Sequence, residues 1–319
     1  MIGVVILIIL GFILLIKGAD FLVEGSSKIA KRFHISEIVI GLTIVSIGTS
    51  MPELIVSITS AFSAHADIGI GNVVGSNICN LLLILGVAAI LQPITLKKET
   101  RLIEIPMCLV IMAIFYFICN NGQEVTRIDG MILVSLFVLF IIYTIVMAFK
   151  GKKFDKEDEI NETINENQSK FPILKNIFYI ILGIVMLKIG GDFTVDNAVK
   201  IAEFLGLSEK IISVTIVAIG TSLPELVTTV SAAIKKESDI AIGNIIGSNI
   251  FNMLAIVGVT ALINPIVYNT SYNIDLYIAM FATFVLFLFQ FIPPKNKMSR
   301  ANGILYFSLY IAYIITLFV

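Results

Sequence analysis

Two stretches of this chain are almost the same. SEIVIGLTIVSIGTSMPELIVS, from Ser36, and DIGIGNVVGSNICNLLLILGVAAILQPI, from Asp67, return as SEKIISVTIVAIGTSLPELVTT from Ser208 and DIAIGNIIGSNIFNMLAIVGVTALINPI from Asp239. They align without a gap. Glu53 matches Glu225 and Asn80 matches Asn252, both at an offset of 172 residues. About half of the aligned positions are identical. Many of the identities are Gly, Thr, Ser, Pro, Glu and Asn, residues that an apolar helix in lipid avoids unless it has a use for them.

The surroundings of these motifs are apolar. Of 319 residues, 57% are hydrophobic and 14% charged, with mean hydropathy +0.98. Soluble domains carry about 25% charged residues, so the expected class is an all-α polytopic membrane protein. A basic n-region and a cleavage site are missing from the first apolar stretch, so no cleavable signal is expected. A net charge of −1 gives no sign of a nucleic-acid partner. Cys79, Cys108 and Cys119 all fall in apolar stretches and read as small hydrophobes, not as a disulfide framework. His34 and His65 fall in expected loops.

Segments long enough to cross about 30 Å of hydrocarbon run approximately over 3–23, 37–62, 69–92, 103–119, 129–149, 173–196, 210–234, 241–264, 273–292 and 302–319. The second, third, seventh and eighth are interrupted by Gly, Pro and polar residues. The stretch GKKFDKEDEINETINENQSK has almost nothing to bury and reads as a flexible linker. The expected organisation is a first five-helix repeat over 1–149, a charged linker over 150–172 and a second repeat over 173–319. Because five is odd, the second repeat enters the membrane upside down. The loops numbered odd from the N-terminus carry 17 Lys and Arg, and the even loops carry only Arg127, Lys200 and Lys210. The positive-inside rule makes the odd loops cytoplasmic. Both termini are then outside and the linker is inside.

The chemistry sits in two motifs, each present twice. Gly48-Thr49-Ser50-Met51-Pro52-Glu53 is matched by Gly220-Thr221-Ser222-Leu223-Pro224-Glu225. Pro removes a backbone donor and clashes with the preceding turn, so a kink and loosened carbonyls are expected there. On a continuous helix Thr49 and Ser50 share a face with Glu53. The second motif places Ser76 and Asn80 on one face, as its twin places Ser248 and Asn252. It also holds the small-residue pairs Gly71/Gly75 and Gly243/Gly247, which let a neighbouring helix approach closely. The expected packing sets each second motif against a first motif. Taken singly, these are packing faces, kinks or interhelical hydrogen bonds. Their joint recurrence in one register points to a site.

Glu53 and Glu225 are the only carboxylates well inside an expected span. Lys17 and Lys188 lie about a turn from Asp20 and Asp192, which snorkelling or local ion pairing explains. A buried carboxylate is costly unless paired, protonated or bound to a cation. Two carboxylates with no fixed cation in reach imply a mobile one. The oxygen-only donor set suits Na⁺ and Ca²⁺, not zinc or copper. An intramembrane enzyme is disfavoured, since no nucleophile–base pair and no His/Cys cluster is present.

GTSMPEL/GTSLPEL together with GNVVGSNICN/GNIIGSNIFN resemble the paired α-repeats of the sodium/calcium exchanger family, within the cation/Ca²⁺ antiporters. The resemblance covers essentially the whole chain. It implies a plasma-membrane antiporter that takes Ca²⁺ and Na⁺ as cargo by alternating access, with no cofactor and no obligatory protein partner. Ca²⁺ ligands would be Glu53 and Glu225 with the carbonyls or hydroxyls of Thr49 and Thr221. Na⁺ sites would add Ser50, Ser222, Ser76, Ser248 and the carbonyls near Ser46 and Ala218. Asn80 and Asn252 would complete the ring. Some relatives carry Asp at the position of Asn252, so this chain has two formal charges there, not three. Ca²⁺/H⁺ and K⁺-dependent exchange on the same fold stay open as alternatives.

Overall fold

A computed structural model describes residues 2–62, 67–151, 171–204 and 218–317. Most of the expected linker, the start of the seventh expected span and His65 lie outside the described residues. The described chain is helical. Its elements are α1 (Ile2–Phe33), α2 (Glu37–Thr49), α3 (Met51–Phe62), α4 (Gly69–Leu91), α5 (Thr100–Asn120), α6 (Arg127–Gly151), α7 (Phe171–Phe204), α8 (Ala218–Thr221), α9 (Leu223–Ile234), α10 (Ser238–Ile263), α11 (Tyr272–Leu288) and α12 (Arg300–Thr316). Six of them are long and apolar enough to cross a membrane. The bent pair α2/α3 makes a seventh.

The helices begin and end close to the expected positions, with one consistent difference. α1 runs on to Phe33, well past its apolar part, through the polar stretch GSSKIAKRF. Hydropathy marks where lipid ends, whereas the helix continues because its polar turns dock on other elements. Four two-residue strands were also not foreseen. β1 (Ile94–Thr95) pairs antiparallel with β4 (Lys297–Met298), and β2 (Glu124–Val125) pairs with β3 (Ile266–Val267). Each pair ties a loop of one repeat to a loop of the other.

Glycine seams bring the repeats together. A Cβ on Gly18 would sit 2.9 Å from the Gly183 carbonyl, and one on Gly190 would sit 2.8 Å from the Gly11 carbonyl. These two contacts are exchanged by the offset of 172, and they run antiparallel along α1 and α7. A similar exchange relates Gly86 on α4 against Gly303 on α12, and Gly258 on α10 against Gly130 on α6, with the last helices of the repeats offset by 173 instead of 172. Small residues allow this backbone approach, which supplies the packing that lipid-facing helices need. The outer faces of α1, α6 and α7 expose Ile, Leu, Val and Phe.

The expected local pairing of Lys188 with Asp192 is present at 2.8 Å. The pairing of Lys17 with Asp20 is not. Asp20 instead pairs with Lys235 at 2.8 Å and accepts a hydrogen bond from Ser231. A residue just past the end of α9 outcompetes the one on its own helix.

Candidate cation site

The site forms where two helices break. α2 and α3 meet at Ser50 with a bend of 47°. Ser50 has φ −83° and ψ 11°, and its counterpart Ser222 has φ −88° and ψ 7°, both outside helical geometry. Pro224 lies in the first turn of α9, where its missing N–H costs little. The Pro residues therefore start new helices instead of kinking continuous ones.

This break overturns one expectation. Ser50 does not serve Glu53 on its own helix. Its hydroxyl donates to Glu225 Oε1 of the other repeat at 2.8 Å, and the Ser222 hydroxyl reaches Glu53 Oε1 at 3.4 Å. Ser222 also lies 3.4 Å from the Ser76 hydroxyl. Each carboxylate is thus held by a serine from the opposite half, and both are about 1% exposed.

The asparagines form a second ring. Asn80 Nδ2 donates to Asn249 Oδ1 and Asn252 Nδ2 to Asn77 Oδ1, each at 3.0 Å. Asn77 and Asn249 also donate to each other's backbone carbonyls at 3.4 Å. Asn80 and Asn252 lie in wide π-helical turns, Cys79–Ile84 and Asn252–Ile256. Such turns often mark functional positions because they shift the side-chain register. Asn77 and Asn249 were not singled out in the sequence. Their signal was present, since they stand three residues before Asn80 and Asn252.

A third layer supports the first motif. Thr49 Oγ1 lies 3.1 Å from Asn244 Oδ1, and Asn244 Nδ2 donates to Thr229 at 2.9 Å. The Ser46 carbonyl receives the Thr49 hydroxyl at 3.2 Å and the Ser248 hydroxyl at 3.5 Å. Ala218 and Thr221 both lie on α8, with Thr221 at its end beside the break. α10 packs against α2 and α9, and α9 against α4, so each second motif does lie against a first motif.

Four buried oxygens at this centre have no hydrogen-bond donor: Glu53 Oε2, Glu225 Oε2, Asn80 Oδ1 and Asn252 Oδ1. They form two pairs related by the offset. Among the described residues no Lys, Arg or His pairs with either carboxylate, and no cluster of three His, Cys, Asp or Glu side chains occurs. An unpaired buried acceptor costs roughly 1–3 kcal/mol and an unpaired charge more. The arrangement is a hard-oxygen cage with two carboxylates, which a cation or protons would complete. Glu104, at the start of α5, is a further buried carboxylate that the sequence reading did not weigh.

The sequence profile described as "sodium/calcium exchanger protein" matches residues 3–146 and 175–319. The putative antiporter CaxA of Alkalimonas amylolytica is 37% identical over 98% of both chains. The sodium/calcium exchanger MaX1 of Methanosarcina acetivorans is 33% identical over 98% of both. A solved structure of the sodium–calcium exchanger NCX_Mj superposes with a TM-score of 0.85 at 32% identity, covering 99% of each chain.

Proposed function

The chain belongs to the sodium/calcium exchanger family, and from that premise we propose that it exchanges Na⁺ for Ca²⁺ across the plasma membrane at the Glu53/Glu225 cage. The observation that carries this reading is the set of four donor-free oxygens with two formal charges. Two carboxylates balance one Ca²⁺, and amide, hydroxyl and carbonyl oxygens fill out a shell of six to eight ligands. In this assignment Glu53, Glu225, Thr49 and Thr221 hold Ca²⁺. Ser50, Ser222, Ser76, Ser248 and the carbonyls of Ser46 and Ala218 add the Na⁺ positions, and Asn80 and Asn252 close the ring.

Exchange follows from charge. Sealing two bare carboxylates away from water costs several kcal/mol per ion. The cage therefore switches sides only when cations neutralise it. Na⁺ and Ca²⁺ share oxygens, so loading one expels the other, and the two flows are coupled.

The same reading takes the fold as ten crossings, arranged as inverted repeats over 1–149 and 173–319 with a cytoplasmic linker over 150–172 and both termini outside. Three observations support it. α1 and α7, the first helices of the two repeats, pack antiparallel. The Lys-rich loops meet one another: Lys31 reaches Glu237, and β1 pairs with β4. The Lys-poor loops meet one another through β2 and β3. Loops that alternate along the chain thus gather at two separate ends.

The deciding experiment is ⁴⁵Ca²⁺ uptake into proteoliposomes loaded with Na⁺ and diluted into Na⁺-free buffer, beside K⁺-loaded and acid-loaded vesicles. Uptake only with internal Na⁺ is the expected result. Uptake driven by the proton gradient would assign the carboxylates to Ca²⁺/H⁺ exchange instead.

A further inference from the structure

Glu104 is a buried carboxylate that the cage does not use. It stands in the first turn of α5 and is about 1% exposed, as is the cage pair. Its Oε2 has no hydrogen-bond partner, and neither has the fully buried Thr100 hydroxyl. Thr100–Glu104 is itself a wide π-helical turn, in which positions four apart lie on nearly one face. The Tyr143 hydroxyl of α6 lies 3.5 Å from Glu104 Oε1, at the long limit of a hydrogen bond. Among the described residues such wide turns also occur at Gly41–Val45, Cys79–Ile84 and Asn252–Ile256. Two of those hold the donor-free cage oxygens of Asn80 and Asn252. Thr100–Glu104 therefore shares both the backbone and the unserved oxygens of the cage.

The charge on Glu104 is not balanced by the protein. Among the described residues no Lys, Arg or His pairs with it. Lys97 is taken by Asp239 at 2.6 Å, and Arg101 Nε donates to the Lys97 carbonyl. The charged groups that Glu104 feels are the carboxylates of Glu99 and Asp239, which repel it. Packing does not ask for a carboxylate here. At the offset of 172 the second repeat has Leu276, equally buried, while its neighbour Asp275 stays partly exposed.

We propose that Glu104, Thr100 and Tyr143 bind one monovalent cation, Na⁺, at a second site outside the cage on the Lys-rich face. The count of charges selects the ion. A proton would neutralise Glu104, but the new O–H would need an acceptor that Oε2 does not have in reach, and the Thr100 hydroxyl would stay unserved. Ca²⁺ would leave a net positive charge buried. Na⁺ balances one carboxylate and takes carboxylate and hydroxyl oxygens together. The ion would also brace α10. The loop that leads into α5 fastens the first turn of α10 through Lys97–Asp239 and through the Thr95 N–H to Ser238, and α5 packs against that helix. The site stands whether or not the cage exchanges Na⁺ for Ca²⁺.

The test is thermal unfolding of the full chain in lipid nanodiscs while Na⁺ replaces N-methyl-D-glucamine at constant ionic strength. A Glu53→Gln/Glu225→Gln background weakens the cage, so the remaining Na⁺ response reads the second site. An ion that binds only the folded state raises the unfolding temperature as its concentration passes Kd. A saturable rise should survive in that background. It should be lost on adding Glu104→Leu and should need about tenfold more Na⁺ on adding Thr100→Val. Glu104→Leu introduces the residue found at 276, and Thr100→Val keeps the threonine shape, so either reports if the other does not fold. Glu104→Gln, the neutral mimic of a protonated carboxyl, should lose the response as well. A background with no Na⁺ response would overturn the site, as would a response that Glu104→Leu leaves unchanged. A full response in Glu104→Gln would make Glu104 a protonated carboxyl and no ion ligand.

Discussion

The two repeats agree at the centre and differ one layer out. Around the cage the bonds to the carboxylates and between the asparagines recur at the offset of 172. Ser50 to Glu225 mirrors Ser222 to Glu53, and Asn80 to Asn249 mirrors Asn252 to Asn77. One step away the symmetry fails. Asn244 is held between Thr49 and Thr229, whereas the matching Asn72 has an amide nitrogen with no partner, as has the Ser57 hydroxyl that corresponds to Thr229. Binding chemistry demands equivalence, because one cation takes ligands from both halves.

The largest effects should test the symmetric part. Glu53→Gln and Glu225→Gln each remove one of two charges and should each cut Na⁺-driven ⁴⁵Ca²⁺ uptake by about a hundredfold or more, with folding intact by size-exclusion and thermal unfolding. Full uptake in either variant would break the equivalence. Next come the residues that aim the amide oxygens. Asn77→Ala and Asn249→Ala should weaken Ca²⁺ binding about tenfold, and to similar degrees, when read by calorimetry.

Smaller effects should expose the difference between the halves. Asn244→Ala strands the Thr49 and Thr229 hydroxyls and should cost roughly 1–3 kcal/mol of stability, whereas Asn72→Ala should cost less, since its amide nitrogen has no partner to lose. Thermal unfolding in lipid nanodiscs reads the pair, and equal shifts would overturn the asymmetry. The smallest is Lys28→Ala. Its contact with Glu24 is an exposed pair one turn apart, so stability should change by less than about 0.5 kcal/mol.

Much of this was legible before any fold was known. The offset of 172 located both motifs, and the scarcity of charge made Glu53 and Glu225 conspicuous. Helix positions followed from apolar length, because only a closed backbone survives in hydrocarbon. The identity of each contact was not legible. A repeat states that Ser50 and Ser222 are equivalent, but it does not say whether each serves its own glutamate or the other's. The break at Ser50 decided that, by taking the hydroxyl off the face it would share with Glu53 on a continuous helix. Lys235 as partner of Asp20 was hidden for the same reason, since local spacing favoured Lys17. The supporting roles of Asn77 and Asn249 needed the halves to meet. By itself the sequence determined which residues are equivalent and which are too polar to be filler, since composition and period are local properties. Which oxygens face one another and which stay without donors were decided only by the tertiary structure, because each depends on groups some 170 residues apart being brought into contact.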